Sequence, residues 1–292
     1  MNRLLRRGQT AVTPFELVVT PQNAGWGYSG LRVLDLTIGQ RASFTTGDDE
    51  MIVLPLSGGC DVTCDDERVT LTGRRSVFSR VTDFAYLPIG SAVTIRAANG
   101  GRFALPSARA TQRLPFRYGP AESVPVELRG AGQASRQVNN FCTPESFEAD
   151  RLIAVEVLTP GGNWSSYPPH KHDEAGAGET ALEEIYYFEV AGSPTGAPGA
   201  GFQRVYGHPG FDIDVCAEVR SGDVVLIPYG WHGPSMAAPG YDLYYLNVMA
   251  GAGERKWLFS DDPVHAWVRG SWEHQQMDPR LPLTSTTERR RP

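Results

Sequence analysis

The chain has 292 residues, 41% of them hydrophobic and 21% charged, which are the proportions of a soluble protein that buries a real core. Its net charge of −6 is mild, and no basic stripe with interleaved aromatics exists, so a surface built to grip nucleic acid is excluded as an expectation. Behind Met1-Asn2-Arg3-Leu4-Leu5-Arg6-Arg7-Gly8 there is no apolar stretch of secretory-leader or membrane-span length, and a cytoplasmic protein with no membrane partner is expected.

Abundant glycine (32) and proline (22) punctuate short β-branched and aromatic runs. These runs predict strands over 51–56, 76–78, 92–95, 152–158, 184–190, 202–206, 223–227 and 243–249. Short helices are expected at 145–150 and 262–269, and no long amphipathic helical pattern occurs. The fold class is therefore all-β, a sandwich or barrel. Cys60, Cys64, Cys142 and Cys216 lack a paired metal spacing. Four residues along a strand would separate Cys60 from Cys64 by roughly 13 Å, so buried thiols are expected rather than a disulfide.

The chain also repeats itself. Tyr86-Leu87-Pro88-Ile89-Gly90 resembles Leu226-Ile227-Pro228-Tyr229-Gly230, and Glu50-Met51-Ile52-Val53-Leu54 echoes Glu184-Ile185-Tyr186-Tyr187-Phe188 at nearly the same offset. A duplicated β-domain follows. Residues 1–105 form the first copy, 106–135 the Arg-, Pro- and Gly-rich connection, 136–282 the second copy, and 283–292 a frayed tail that includes Arg289-Arg290-Arg291.

All six histidines lie in the second half. His170 and His172 are two apart, so on an extended strand both rings point to one face. Glu184 opens an aromatic run, and His232 follows the corner Pro228-Tyr229-Gly230. These four make a site for one divalent transition metal, and a nitrogen-rich set suits Zn, Mn, Fe, Co or Ni better than Mg or Ca. Glu183 and Glu184 alternate faces, and Glu184 shares its face with Tyr186 and Phe188. Aligned on the repeat, the first half has Leu36 and Ile38 in place of the His pair, so no metal is expected there. Lys171 should face away from the metal as a surface contact, and His208, His265 and His274 read as ordinary hydrogen-bonded histidines.

These residues resemble the cupin pattern: a glycine (Gly162), a His-X-His pair and a Glu, then Gly222, a Pro-X-Gly corner and His232. Eleven residues separate His172 from Glu184, more than cupins usually have, and the added loop 173–182 is expected to act as a lid. The segments Asn163-Trp164-Ser165-Ser166-Tyr167-Pro168-Pro169-His170-Lys171-His172, Leu182-Glu183-Glu184-Ile185-Tyr186-Tyr187-Phe188, Gly201-Phe202-Gln203-Arg204-Val205-Tyr206 and 241–251 resemble those of the 5-deoxy-glucuronate isomerases. That resemblance is dense from 136 to 282. It implies a bicupin, two tandem jelly-roll barrels or sandwiches with short helices, whose first half is free of metal ligands. It implies a metal-dependent aldose–ketose isomerase of inositol catabolism, converting 5-deoxy-glucuronate to 2-deoxy-5-keto-gluconate.

A small sugar acid is then the partner, and pairing of edge strands between subunits would give a homo-oligomer. Tyr167, Glu174, Tyr229 and Tyr245 lie in the motif segments and are the candidates for the catalytic base, which the residues do not single out. Arg204 is the candidate for the substrate carboxylate. Three alternatives stay open: a metal-dependent cupin dioxygenase, the related isomerase acting on 4-deoxy-5-keto-uronate, and a non-catalytic sugar-binding cupin.

Overall fold

The computed structural model describes residues 3–176 and 178–287. Strands dominate, and the described helices are short turns such as Pro21–Ala24 and Val268–Ser271. The second half holds two facing antiparallel sheets. One has the order Leu4–Leu5, Val224–Ile227, Glu183–Val190, Leu243–Ala250, Ile153–Thr159, Arg136–Cys142, Val126–Arg129. The other is built on Phe211–Val219, Gly201–His208, Trp231–Ala237, His170–Lys171 and Ser260–Asp261, with Trp164–Ser165 paired to Trp231–Ala237. In the first half a single nine-stranded sheet curls on itself, because the 16-residue strand Asp49–Cys64 pairs with neighbours on both sides along its length.

Period-two alternation explains how the halves join. In Glu183–Val190, Ile185 and Tyr187 belong to the apolar core shared with the first half, while Tyr186, Phe188 and Val190 fill the second barrel. In Leu243–Ala250, Tyr244, Leu246 and Val248 face the shared core and Leu243 and Tyr245 the barrel, so all eight residues are buried. The shared core takes Leu17, Leu31, Val33, Ile52 and Leu54 from the first half, whose own interior is filled by Met51, Val53, Phe103 and Leu105 among others.

Two carboxylates lock this joint reciprocally. Glu50, at the start of its strand, accepts the N–H groups of Asp150 (2.9 Å), Arg151 (2.6 Å) and Leu152 (2.7 Å) as the chain enters Ile153–Thr159. Glu183, at the start of Glu183–Val190, accepts those of Gly27 (2.6 Å), Tyr28 (2.8 Å) and Ser29 (2.9 Å) as the chain enters Ser29–Leu36. A buried Arg74–Glu156 ion pair adds a third tie, with the Tyr244 hydroxyl donating to Glu156.

Several expectations need correction. Residues 76–78 form a turn closed by Ser79 N–H on Ser76 O (3.0 Å), and residues 145–150 are turn rather than helix. The expected helix at 262–269 starts only at Val268. The boundary at 105 cuts the strand Gly101–Arg109, and the expected connection is itself structured. Arg117–Gly119 extends the first sheet and Val126–Arg129 the second. Leu4 and Leu5 pair with Val225 and Val224, so the first described strand lies on the second half's sheet. The expected frayed tail is pinned at its start. Thr284 is fully buried and exchanges hydrogen bonds with Gln137, and Leu283 packs on the shared core. Arg289 to Arg291 lie outside the described residues. All four cysteines are free thiols, three buried and Cys216 exposed.

Candidate metal centre and active site

Three separated stretches deliver the expected donors to one place. Strand His170–Lys171 pairs with Trp231–Ala237 so that His170 lies directly opposite His232, with ring centroids 4.4 Å apart. Glu184 enters from the facing sheet, on the barrel face of its strand with Tyr186 and Phe188. His172, Glu184 and His232 are all buried, and one donor atom from each lies within 4.8 Å of the others. His170 stands beside this triplet, its ring 6.4 Å from that of His172.

The hydrogen bonding around the imidazoles fits a cation. Each ring directs Nδ1 at a backbone carbonyl: His170 at Pro168 O (3.4 Å), His172 at Leu182 O (3.2 Å) and His232 at Gly230 O (3.2 Å). With Nδ1 as the donor, Nε2 presents its lone pair, the arrangement that orients a ligating histidine. His172 Nε2 and His232 Nε2 each lie 3.0 Å from the same oxygen, Glu184 Oε2, and His232 Nε2 is buried without a hydrogen-bond partner. Two imidazole nitrogens and a carboxylate oxygen converging on one point, one of the nitrogens buried without a hydrogen bond, fit the donor set of a transition metal.

Electrostatics agree. Burial raises the Glu184 carboxyl, but His232 and His172 outweigh it and hold it at about 2, so it is an anion at neutral pH. Burial, with His232 and His172 beside it, pushes His170 well below its ordinary value and keeps it neutral. Burial also lowers His172, but its Glu184 partner overrides this and the net shift is upward.

A cavity opens from this cluster. His170, Glu184, Ser166, Tyr186, Tyr245 and Asn247 line it, with Trp257, Phe259 and the three arginines Arg129, Arg136 and Arg269. Ser166 Oγ is 2.9 Å from the Tyr186 hydroxyl and 3.1 Å from that of Tyr245. Burial raises both phenols, so each is a neutral donor.

Of the candidate catalytic residues, only Tyr245 faces this cavity. Tyr167 packs edge-on against Trp164 and lines a separate surface pocket with Trp272. Glu174 is exposed and pairs with Lys171 Nζ at 3.1 Å. The Tyr229 hydroxyl donates to Asp212 O at 3.1 Å, on another face. Arg204 is likewise taken up elsewhere. Its guanidinium pairs with Asp214 and donates to Val205 O and Val215 O, and it does not line the cavity.

Lys171 does face away from the cluster, but it is buried rather than a surface contact. It is held by Asp173 (2.8 Å) and Glu179 (2.9 Å). The loop expected to be a lid is folded around that ammonium. Leu182 N–H closes its base on His172 O (2.8 Å), and Glu179 accepts the N–H groups of Asp173 and Glu174. None of its described residues lines the cavity. Asp173 also accepts His208 Nε2 (2.8 Å) and Gly230 N–H (2.7 Å), so the loop braces the corner before His232. Burial raises Asp173, yet Lys171, Gly230 and His208 hold it at about 2.

The arginines, Asn247 and Trp257 escaped the sequence reading. The one usable signal was parity, since Asn247 follows Tyr245 by two residues and pairs with Tyr186 across the sheet.

The chain is similar to known proteins. A curated protein of Geobacillus kaustophilus named 5-deoxy-glucuronate isomerase is 43% identical over 258 residues, covering 87% of this chain and 90% of its own. The crystal structure of an IolB-like protein of Salmonella typhimurium superimposes with a TM-score of 0.84 at 36% identity, over 92% of this chain and 99% of that one. An oxalate decarboxylase of Lactobacillus farciminis, at 13% identity and a TM-score of 0.63 over 89% of this chain and 88% of that one, shares the fold alone. The description of the KduI/IolB family matches residues 4–268. The chain therefore belongs to the KduI/IolB family.

Proposed function

We propose that the protein is an aldose–ketose isomerase that converts 5-deoxy-glucuronate to 2-deoxy-5-keto-gluconate in inositol catabolism, in the cytoplasm, using one divalent transition metal. The observation that carries this reading is the convergence of His172 Nε2, His232 Nε2 and Glu184 Oε2 beside His170, in a chain 43% identical to a protein named for that activity. His170, His172, Glu184 and His232 would hold the metal, which supplies Lewis acidity toward an aldehyde oxygen and its neighbouring hydroxyl. In the reaction, the hydrogen on carbon 2 is transferred to carbon 1 and the proton of the carbon-2 hydroxyl passes to the aldehyde oxygen, so aldehyde plus hydroxyl become hydroxymethyl plus ketone.

The chain's own groups prepare that transfer. Glu184, an anion, and three imidazoles anchored through Nδ1 fix the donor geometry before substrate arrives. The neutral hydroxyls of Tyr186 and Tyr245, tied to Ser166, offer hydrogen bonds to an oxygen that gains charge during the transfer. Trp257 and Phe259 narrow the cavity and limit water.

Metal analysis of the purified protein together with an isomerase assay on 5-deoxy-glucuronate tests the reading. In a soluble, folded His232→Ala protein we expect metal content to fall by more than half and turnover by at least about a thousandfold. Full metal and full rate in that variant would reject the site, and oxygen consumption in place of ketose formation would reject the reaction.

A further inference from the structure

Three arginines line the cavity, and their surroundings differ in a way that matters. Arg129 is paired with Glu127 at 2.7 Å, and Arg269 is paired with Asp261 at 2.6 Å. Among the described residues, Arg136 has no carboxylate partner. Its side chain is 8% exposed, its hydrogen bond goes from Nη1 to Ala134 O (3.0 Å), and it lies over the Trp272 ring at 5.7 Å. A buried guanidinium without an anion is strongly unfavourable in a folded chain, so an isolated one facing a cavity marks a place where an anion arrives. Burial and the like charges of Arg129 and Arg269 push its pKa down to about 10, so it stays a cation at neutral pH.

Two further donors around it are unsatisfied. Among the described residues, Trp257 Nε1 and Asn247 Nδ2 are buried with no hydrogen-bond partner, and both residues line the same cavity. Glu184 is the one carboxylate among the lining residues, and its oxygen is already turned to the imidazoles. The remaining wall is rich in donors, which suits an anionic ligand, and a planar carboxylate matches the guanidinium fork. Arg136 and His170 line the same cavity, so one small molecule can reach both.

We propose that Arg136, with the indole N–H of Trp257 and the amide of Asn247, is the subsite for the carboxylate of the sugar acid, in place of Arg204. This rests on the isomerase reading above. Arg136 thereby fixes which end of the substrate faces the histidines, because the carboxylate and the aldehyde are opposite ends of the same chain.

The test compares 5-deoxy-glucuronate with its methyl ester, which keeps the shape but not the charge. Wild type should prefer the acid in kcat/KM by roughly 100-fold. In Arg136→Met the acid should lose roughly 100-fold, chiefly through KM, and the preference should collapse toward unity while metal content and Tm stay close to wild type. Arg136→Lys, which keeps a charge without the fork, and Trp257→Phe should each lower the preference roughly tenfold and serve if the Met variant does not fold. An unchanged preference in the soluble variants, or an equal loss on acid and ester, overturns the subsite. Should wild type isomerise neither compound, the isomerase reading fails by itself, and calorimetry with glucuronate then decides the subsite. Binding by wild type that Arg136→Met abolishes supports it, whereas equal binding by both, or none by wild type, overturns it.

Discussion

Glu50 and Glu183, rather than Glu184, occupy corresponding places in the two copies: Met51 pairs with Leu87 before Pro88 as Glu184 pairs with Ile227 before Pro228. The repeat read from the sequence is thus one residue out of register here, and Glu50 and Glu184 do different work because they lie on opposite faces. Glu184 meets two imidazole nitrogens and has an oxygen to share with a cation. Glu50 is fully buried and saturated by three backbone N–H groups and the Tyr86 hydroxyl (2.6 Å). Replacing Glu50 by Gln puts an amide NH2 where only acceptors are wanted. We expect Glu50→Gln to lower stability by on the order of 3 kcal/mol in urea unfolding, with the metal content of the folded fraction unchanged. Arg204 illustrates the opposite limit of residue-level reading. A cation on a strand was a fair candidate for an anionic ligand, but its hairpin partner strand supplies Asp214 close by, and that carboxylate takes it.

At the level of elements, the corner 228–230 decides where His232 goes. Gly230 has φ +95°, and a Cβ there would meet Tyr206 O at 2.7 Å and Ile213 Cγ2 at 2.8 Å. Gly230→Ala should therefore shift the strand start, weaken metal affinity by roughly 10- to 100-fold in a chelator competition, and cost about 1–3 kcal/mol in stability. The strands legible in the sequence were those with clear alternation or continuous burial, such as 184–190 and 243–249. Residues 76–78 were too few to hold a ladder, and 145–150 too few to repay helix nucleation, so local hydrogen bonds from Ser79 and Ser146 settled both as turns. The four proposed metal ligands were legible because histidine and glutamate on apolar strands are chemically conspicuous. Arg136, Asn247 and Trp257 were not, because which way a side chain faces depends on strand register, and register is fixed by distant partners.

For the molecule as a whole, the largest apolar cluster lies between the two halves and draws on both. Leu4 and Leu5 lie on the second half's sheet, and Val81 of the first half donates its N–H to Ser285 O (2.9 Å). The halves are thus poor candidates for independent folding. We expect calorimetry to give a single transition with equal calorimetric and van't Hoff enthalpies, and two resolved transitions would contradict a common core. Duplication was visible in the sequence as two matched landmarks, but the exchange of terminal segments was not, since nothing in Leu4-Leu5 specifies which sheet edge it will join.

The Glu50 clamp has a consequence for the engineering of the fold. Each copy spends the acid at this place as a rivet to its twin. Grafting a histidine pair at Leu36 and Ile38 would consequently fail to restore a second active centre: Met51 stands where Glu184 stands in the other half, Glu50 lies on the opposite face and is held by backbone N–H groups, and Ile38 faces solvent, 80% exposed.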